Sequence, residues 1–576
     1  MVQPGVIMGP LAADFTKAGA HIYDLVSLHN RSLLFWPLMS LVTPGVAFLC
    51  RGVAYLSVYV GSTHYGANQL AIYYGVEVSN WVIITGALIA APVLGRLYVS
   101  LRDLKHKRRA AALGARIVPR ILGEKIGNLD VVERAMNNSK KGYVGEDMQD
   151  PLTTLGPTFN LNIMYSDLIF TTSPEHVKLI LATDFQNFVK VFARDRIADF
   201  DIFDRHADQV LAVLKQRLRE GHAVDFQPAF HTPPNATYLP NGQKSPQKNA
   251  ADEFADAFLK AQEIIADRER LSWIWPLFEI NKDKTADSMK IVNAYIEPVI
   301  KEAVERKQNA PPQEKNVDDK EAEKEGCLLD HLLDVTMDPV VLRDETLNIM
   351  IAGRDTTAAT LTFVIYLLSQ HPDVLQRLRA EILEKVGPNR RPNFEDLKEL
   401  KYLRAVLNET LRLFPIVPFN VRQSVNETIW PSPVPSEKPL YIPPKTSVVY
   451  SVFLMHRRKD LWGPDAEEFD PDRFLDDRLK KYLLKNSFIF LPFNAGPRIC
   501  LGQQYAYNEM SFMVIRLLQS FCDISLDLAS APKEAVPPAD WAKGTGRKAI
   551  EKVRPKNHLT MYASGGVWVK MNEATN

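Results

Sequence analysis

Two long apolar segments lie near the N-terminus of the chain. The first runs from Leu33 to Cys50 without a charged residue, and its uncharged character resumes after Arg51 and lasts to Val76. The second runs from Trp81 to Leu94. Because a membrane-spanning helix needs about 20 mostly apolar residues, the pattern predicts one membrane span and is compatible with two. A buried soluble helix is the alternative, whereas a signal peptide fits poorly because the first segment lacks a basic flank.

Five basic residues follow the second apolar segment directly. A cluster of Lys and Arg beside a span stays on the cytoplasmic side, so the chain beyond this cluster is expected to face the cytosol. We therefore expect a membrane anchor over 1–110 and one large domain over 111–576. The basic residues are Arg102, Lys105, Lys107, Arg108 and Arg109.

Helical periodicity dominates the rest of the chain. Long helical patterns cover 195–305 and 340–413, and the charged stretch from Lys301 to Gly326 is interpreted as a solvated surface connection between them. Strands are expected over Thr158–Tyr165 and Leu168–Thr172. The pattern predicts a mainly α fold with small β-sheets, that is, an α+β class. Further short strands are expected at Tyr441–Ile442, Ser447–Phe453, Leu559–Tyr562 and Val567–Met571.

The composition excludes several classes of protein. With 46% hydrophobic and 24% charged residues, the chain is neither disordered nor collagenous. Lys plus Arg (69) nearly equals Asp plus Glu (68), so the net charge of +1 gives no electrostatic footprint for nucleic acid. The four cysteines, at 50, 327, 500 and 522, lack the spacing of a disulfide framework or zinc site. At most one cysteine is then expected to have a special task.

The stretch from Phe493 to Gly502 brings one cysteine to the start of a helical pattern. Unpaired N–H groups and the positive end of a helix dipole favour a thiolate at Cys500, and a thiolate can ligate a metal. The stretch resembles the haem-binding loop of the cytochrome P-450 superfamily. Its defining positions are occupied by Phe493, Gly496, Arg498, Cys500 and Gly502.

The resemblance implies a helix-rich cytochrome P-450 fold that binds haem b. Cys500 would then be the axial ligand of the haem iron, and Arg498 would pair with a haem propionate. Phe493 and Gly496 would belong to the same cofactor-binding loop.

A second signature consists of Glu409, Arg412 and Arg473. Glu409 and Arg412 share one helix face, and Arg473 lies in Phe469–Phe474, which resembles the family's proline-acid-arginine-phenylalanine element. The resemblance implies a buried three-way network with a structural role, because buried charges persist only when they are mutually paired.

A third signature runs from Ala352 to Thr357 inside a long helical pattern. Gly353 and the paired threonines are poor choices for a helix interior, so a local distortion of the helix is expected. The motif resembles the family's oxygen-activating helix, which implies that Asp355 and Thr356 relay protons during catalysis. Arg354 within the motif is typical of the branch that contains fungal alkane and fatty-acid hydroxylases.

The residues after the Glu409 helix resemble the family strand that runs beside the haem. By this resemblance, Arg422 is a candidate second propionate partner. Val417 and Phe419, together with Ala352, are candidate walls of the substrate pocket.

The chain departs from the family before Arg194. The family carries a helix with a Trp-x-x-x-Arg motif that holds a propionate, but no tryptophan occurs between Trp81 and Trp273. The join at Lys190-Val191 and a second join near Phe226 resemble skipped coding segments.

The resemblance implies a monooxygenase that inserts one oxygen atom from O₂ into a C–H bond of an apolar substrate, such as a long-chain alkane or fatty acid. With no nicotinamide or flavin fingerprint in the chain, electrons are expected from NADPH through a separate flavoprotein reductase. Anchoring in the endoplasmic reticulum membrane, with the catalytic domain facing the cytosol, would suit a substrate arriving from membrane lipid. The alternatives are a catalytically defective family member and, more remotely, a membrane-anchored interaction protein.

Overall fold

The computed structural model describes residues 43–189, 250–309 and 336–574, together with 215, 218, 219, 223–225, 329, 332 and 333. These residues divide into two compact units, one of which contains 43–92 and Trp273–Lys284, while the other contains the rest from Val93 onward. Some features named from the sequence lie outside the described residues. They are the join at Lys190, the join near Phe226 and the part of the first apolar segment before residue 43.

Two long helices follow the apolar segments. Pro44–Tyr74 begins after Thr43, whose hydroxyl oxygen accepts a hydrogen bond from the Val46 backbone N–H at 3.3 Å. The helix ends at Gly75, whose φ of 67° lies in the left-handed region that favours glycine. Asn80–Ala112 follows after a short connection. Both helices are long and apolar enough to cross a membrane, and most of their side chains are exposed.

The remaining described chain is mostly helical. Shorter helices are Gln149–Leu155, Pro174–Lys178, Phe394–Glu399, Val452–Met455, Lys459–Trp462 and Arg547–Ile550. The longer helices are Leu129–Lys141, Ala250–Leu271, Ala286–Asn309, Pro339–Met350, Thr356–Gln370, Pro372–Lys385, Lys401–Leu413 and Gln503–Ser520.

The strands form small sheets. The largest sheet has five strands in the order Thr158–Asn160, Leu168–Thr171, Ser447–Ser451, Phe419–Ser424 and Phe188–Val189. One three-stranded sheet consists of Arg116–Ile117, Leu440–Ile442 and Thr428–Trp430, and another of Phe521–Leu526, Trp568–Glu573 and Val224–Asp225. A two-stranded sheet pairs Arg554–Asn557 with Met561–Ser564.

The main core surrounds the helix Thr356–Gln370. Every residue from Thr357 to Leu368 is buried, because this helix is enclosed on all sides. The ring of Phe363 stacks on Phe414 with 4.4 Å between the ring centroids. Helices Lys401–Leu413 and Gln503–Ser520 contribute to the same core. The first carries Glu409 and Arg412, and the second follows the loop that carries Cys500. Both therefore pack in the core of the helix that continues the Ala352–Thr357 motif.

The predicted mainly α fold with small sheets is confirmed, whereas several of its boundaries are wrong. The strand predicted over Thr158–Tyr165 ends at Asn160, and those predicted over Leu559–Tyr562 and Val567–Met571 are Met561–Ser564 and Trp568–Glu573. Helix Ala286–Asn309 continues through the charged residues from Lys301 to its end, so the predicted connection is wrong over that part. The strand predicted to reach Phe453 ends at Ser451, because the Ser451 hydroxyl caps the next helix by accepting the Leu454 N–H at 3.2 Å.

Candidate active site

The loop that carries Cys500 is closed by its own backbone. The Cys500 N–H donates to the Phe493 carbonyl at 2.8 Å. Asn494 and Gly496 both adopt left-handed backbone angles, with φ of 59° and 60°. Cys500 is exposed and lies two residues before Gly502, which precedes the first residue of helix Gln503–Ser520. The loop therefore presents a thiol at the beginning of this helix, as the sequence predicts.

Gly496 allows the loop to approach the segment Leu179–Thr183. A Cβ atom at position 496 would lie 2.6 Å from the Leu181 carbonyl oxygen, which is too close for any other residue. Phe493 packs against Tyr507 with 5.1 Å between the ring centroids. Gly496 and Phe493 therefore both contribute to the position of the loop that carries the thiol.

Two arginines named by the sequence lie on different elements. Arg498 belongs to the loop, and its buried Nε atom has no hydrogen-bond partner among the described residues. Arg422 is 4% exposed on the strand Phe419–Ser424, and its Nη1 donates to the Val421 carbonyl at 2.7 Å. An exposed thiol and a buried guanidinium N–H that lacks an anion match the iron and the propionates of a haem, so these residues fit this cofactor.

Arg412 and Arg473 both contact the Glu409 carboxylate. Arg412 forms two hydrogen bonds with the Glu409 carboxylate, at 2.7 and 2.8 Å. The Nε atom of Arg473 lies 3.5 Å from the same carboxylate, and its Nη2 lies 2.9 Å from the carboxylate of Asp465. The three network residues are at most 1% exposed. Backbone carbonyls, such as that of His456 at 2.8 Å from Arg412 Nη1, accept the remaining hydrogen bonds.

His456 connects this network to Leu491, two residues before the loop that carries Cys500, and sequence reasoning missed it. Its Nε2 atom accepts the Leu491 backbone N–H at 2.9 Å, and its Nδ1 atom lies 3.2 Å from the Arg412 carbonyl oxygen. Burial, followed by the charge of Arg412, lowers the pKa of His456 well below its ordinary value. The neutral imidazole therefore accepts at one nitrogen and donates at the other, a pairing that no local motif reveals.

The Ala352–Thr357 motif lies in a distorted part of its helix. Ile351–Asp355 forms a wide π-helical turn between Pro339–Met350 and Thr356–Gln370, which confirms the predicted distortion. The Thr356 hydroxyl donates to the Ala352 carbonyl at 2.6 Å. Ala352 itself is exposed at this turn.

Asp355 is 9% exposed and is held by a residue that sequence reasoning missed. The side-chain amide of Gln262, on helix Ala250–Leu271, donates to the Asp355 carboxylate at 2.9 Å. Arg354 forms a longer ion pair with the same carboxylate, at 3.9 Å. Gln262 precedes Asp355 by 93 residues, so tertiary packing alone brings the two together.

A second acid approaches the motif from helix Gln503–Ser520. Burial raises the pKa of Glu509 to about 7, and a hydrogen bond with the Thr357 side chain partly opposes this rise. Glu509 was also missed, because a glutamate in a helical pattern has no distinguishing local signal.

The predicted pocket residues Val417 and Phe419 are half-buried. Phe419 begins the strand that pairs with Ser447–Ser451, and its ring centroid lies 6.4 Å from that of Phe170. Together with the exposed Ala352, they supply apolar surface on two separate elements.

Comparisons of the sequence with known proteins indicate the same family as the three signatures. The family model described as cytochrome P-450 matches residues 241–534. A cytochrome P-450 of Arthroderma benhamiae is 33% identical over 78% of this chain and 90% of its own length. Cytochrome P-450 monooxygenase himC of Aspergillus japonicus is 31% identical over 85% and 89%, and cytochrome P-450 52A5 of Candida maltosa is 30% identical over 72% and 82%.

These matches cover most of the chain and most of each relative, and they confirm the resemblance inferred from the three signatures. The chain belongs to the cytochrome P-450 family of haem-thiolate monooxygenases.

Proposed function

We propose that Cys500 is the axial ligand of a haem b iron in this chain. The observation that carries the proposal is the exposed Cys500 thiol on a loop closed by the Cys500–Phe493 backbone bond, with His456 holding Leu491 just before the loop. Arg498 and Arg422 would neutralise the propionates, since a charge-assisted pair compensates the buried guanidinium N–H of Arg498. Gly496 keeps the loop close to Leu179–Thr183.

Bound haem supplies the activation of O₂ and the insertion of one oxygen atom into a C–H bond. The protein must deliver protons to this reaction, and Asp355 and Thr356 are assigned this task. Asp355 can hold or release a proton at its carboxylate, and Gln262 orients that carboxylate at 2.9 Å. The Glu409–Arg412–Arg473 network has a structural role, because all its charges are buried and paired.

The proposed substrate is a long-chain alkane, a fatty acid or a similar apolar molecule. Ala352, Val417 and Phe419 offer apolar side chains, which suit an apolar substrate. Arg354 supports the same assignment through the resemblance of its motif to fungal hydroxylases.

The proposed enzyme is anchored in the endoplasmic reticulum membrane through residues 1–110, and its catalytic domain, 111–576, faces the cytosol. Helices Pro44–Tyr74 and Asn80–Ala112 support this proposal by their length, apolar composition and exposure, as does the basic cluster at the C-terminal end of the second helix. Electrons would come from NADPH through a separate flavoprotein reductase that docks on the cytosolic side.

Oxygen labelling tests this function. The full chain, reconstituted in vesicles with an NADPH-dependent flavoprotein reductase, is incubated under ¹⁸O₂ with hexadecane or hexadecanoic acid. The expected product is an alcohol that carries one ¹⁸O atom. Alcohol oxygen derived from water would contradict a monooxygenase reaction.

A defective family member is the second candidate, and a specific observation favours it. The sequence lacks the Trp-x-x-x-Arg motif, because no tryptophan lies between Trp81 and Trp273. A chain without that propionate partner would bind haem weakly, so the uptake of haem separates the two candidates.

A further inference from the structure

His456 and Arg412 hold each other at two points. The Arg412 guanidinium donates from Nη1 to the His456 carbonyl at 2.8 Å, and the His456 Nδ1 atom lies 3.2 Å from the Arg412 carbonyl oxygen. Both residues are 0% exposed. Arg412 is also bound to the Glu409 carboxylate at 2.7 and 2.8 Å. The Glu409 network therefore determines where the His456 ring lies.

The other ring nitrogen of His456 faces a backbone N–H group. Its Nε2 atom accepts from Leu491 at 2.9 Å, and Leu491 is 3% exposed. Because a backbone N–H can only donate, Nε2 carries no proton and the ring proton is on Nδ1, toward Arg412. Without this acceptor the buried Leu491 N–H would be left unpaired, which is costly in a protein interior.

From Leu491 the hydrogen bonds continue to the cysteine. The Leu491 carbonyl accepts the Asn494 N–H at 3.2 Å, and the Phe493 carbonyl accepts the Cys500 N–H at 2.8 Å. Phe493 and Asn494 are neighbours in the chain. A continuous series of hydrogen bonds and peptide bonds therefore leads from the His456 ring to the backbone of Cys500.

We propose that His456 is a positioning residue for the haem ligand, because it fixes Leu491 and, through Leu491, the loop that presents the Cys500 thiolate to iron. This inference rests on the proposed ligation by Cys500 and deepens it, since His456 acts through the backbone of the loop. Residues outside the ligand set orient the ligands of a metal, and their loss weakens metal binding by about 10–100-fold.

Packing by the imidazole ring is the competing explanation. The ring centroids of Phe490 and Trp462 lie 5.3 Å and 6.3 Å from that of His456. If packing alone mattered, the choice of hydrogen bond kept by a substituted side chain would make no difference. Two neutral substitutions separate the explanations on this point.

His456→Gln and His456→Asn each keep one of the two hydrogen bonds of the ring. The glutamine carbonyl can occupy the place of Nε2 and accept from Leu491, whereas the asparagine amide can occupy the place of Nδ1 and donate to the Arg412 carbonyl. The reduced, carbon monoxide difference spectrum of each full chain reports the ligand of the haem iron. Urea unfolding, followed by circular dichroism, reports folding.

The Gln variant should keep the Soret band of a thiolate-ligated haem. In the Asn variant, the ratio of this band to the shorter-wavelength band of haem without a thiolate ligand should fall by about tenfold. Equal ratios in the two folded variants would overturn the proposal. An Asn variant that fails to fold beside a folded Gln variant would also overturn it, because the bond would then secure the whole domain. Failure of both to fold has the same meaning, since the Gln variant keeps the bond.

Hydrogen exchange tests the same link without using the haem spectrum. The full chain as purified is placed in deuterium oxide, and mass spectrometry follows the peptide that contains Leu491, Asn494 and Cys500. These amides should exchange about tenfold faster in the Asn variant than in the parent or the Gln variant. Unchanged exchange in the Asn variant would overturn the inference. Faster exchange in that variant, together with a parent that lacks the thiolate band, would retain the link and remove the proposed ligation instead.

Discussion

The Glu409 network and the Asp355 site differ in how their buried charges are paired. Glu409, Arg412 and Arg473 are at most 1% exposed, lie close to one another and are hydrogen-bonded by backbone carbonyls on several elements. Asp355 lies on a distorted helical turn beside the exposed Ala352, and its contacts include the Gln262 amide at 2.9 Å and Arg354 at 3.9 Å. The first site pairs its charges at 2.7 and 2.8 Å within the core, whereas the second places a neutral amide against its carboxylate.

The difference follows from what each site must do. A fully paired buried network keeps its charge state, so it can determine geometry but cannot exchange protons. A carboxylate that gains and loses a proton needs partners that tolerate both states, and an amide partner such as Gln262 has no charge to oppose protonation. The comparison therefore assigns structure to the first site and proton delivery to the second.

The largest expected effect comes from breaking the network. Glu409→Gln leaves Arg412 and Arg473 buried without a counter-charge, which should lower the free energy of unfolding by about 3–5 kcal/mol. Urea unfolding of the full chain, followed by circular dichroism, measures this loss. The control is Glu133→Gln, whose partner Lys125 is exposed, and it should leave the unfolding midpoint unchanged. Equal midpoints for the two variants would contradict a structural role.

Asp355→Asn should affect turnover and not folding. Loss of a positioned general acid should reduce the turnover number by about 10²-fold, while the unfolding midpoint and the haem spectrum stay as in the parent. Asp344→Asn, an exposed change in the preceding helix at a residue paired with Arg343, is the matched control. A turnover number for Asp355→Asn close to that of this control would remove Asp355 from proton delivery.

Glu509→Gln should change how stability depends on pH. The pKa of Glu509 is about 7 in the folded chain and 4.5 ordinarily, so folding favours its neutral form. That contribution is fully present below pH 4.5 and is lost as the pH rises through 7. The Gln variant stays neutral, so at pH 8 it should exceed the parent in stability by up to about 3 kcal/mol and match it at acidic pH. Parallel pH curves from urea unfolding would contradict this prediction.

The smallest expected effect follows from Gln262→Met. This change removes one hydrogen bond to a buried carboxylate and keeps similar volume, so it should cost about 1–2 kcal/mol of stability. Turnover should fall less than in Asp355→Asn, because the acid remains. Double-mutant analysis with Asp355→Ala, which removes the acceptor, checks the link, and strictly additive losses of stability would show that the two residues do not interact.

The sequence predicted those parts of the site that depend on local signals. Cys500, its glycine-rich loop and the helical distortion at Gly353 follow from residue type and spacing, and the Glu409 network follows from a family motif. Gln262, His456 and Glu509 carry no such signal, because an isolated glutamine, histidine or glutamate in a helical or loop pattern usually faces solvent. Their contacts arise from packing between elements distant in sequence, such as helix Ala250–Leu271 against the turn at Asp355.

The predicted boundary at Lys301 was wrong for a related reason. Charged residues from Lys301 to Asn309 indicate solvent exposure, but helix Ala286–Asn309 continues through them because its buried residues Ile296, Ile300 and Ala303 hold it in the core. Local charge does not end a helix whose other face is packed.

The most direct test of the account is the reduced, carbon monoxide difference spectrum of the full chain. The parent should show the Soret band of a thiolate-ligated haem, and Cys500→Ala should lose it while Cys522→Ala keeps it. The same band in the Cys500→Ala chain would contradict the assigned ligand. Its absence from the parent would show that the chain without the Trp-x-x-x-Arg motif does not hold haem.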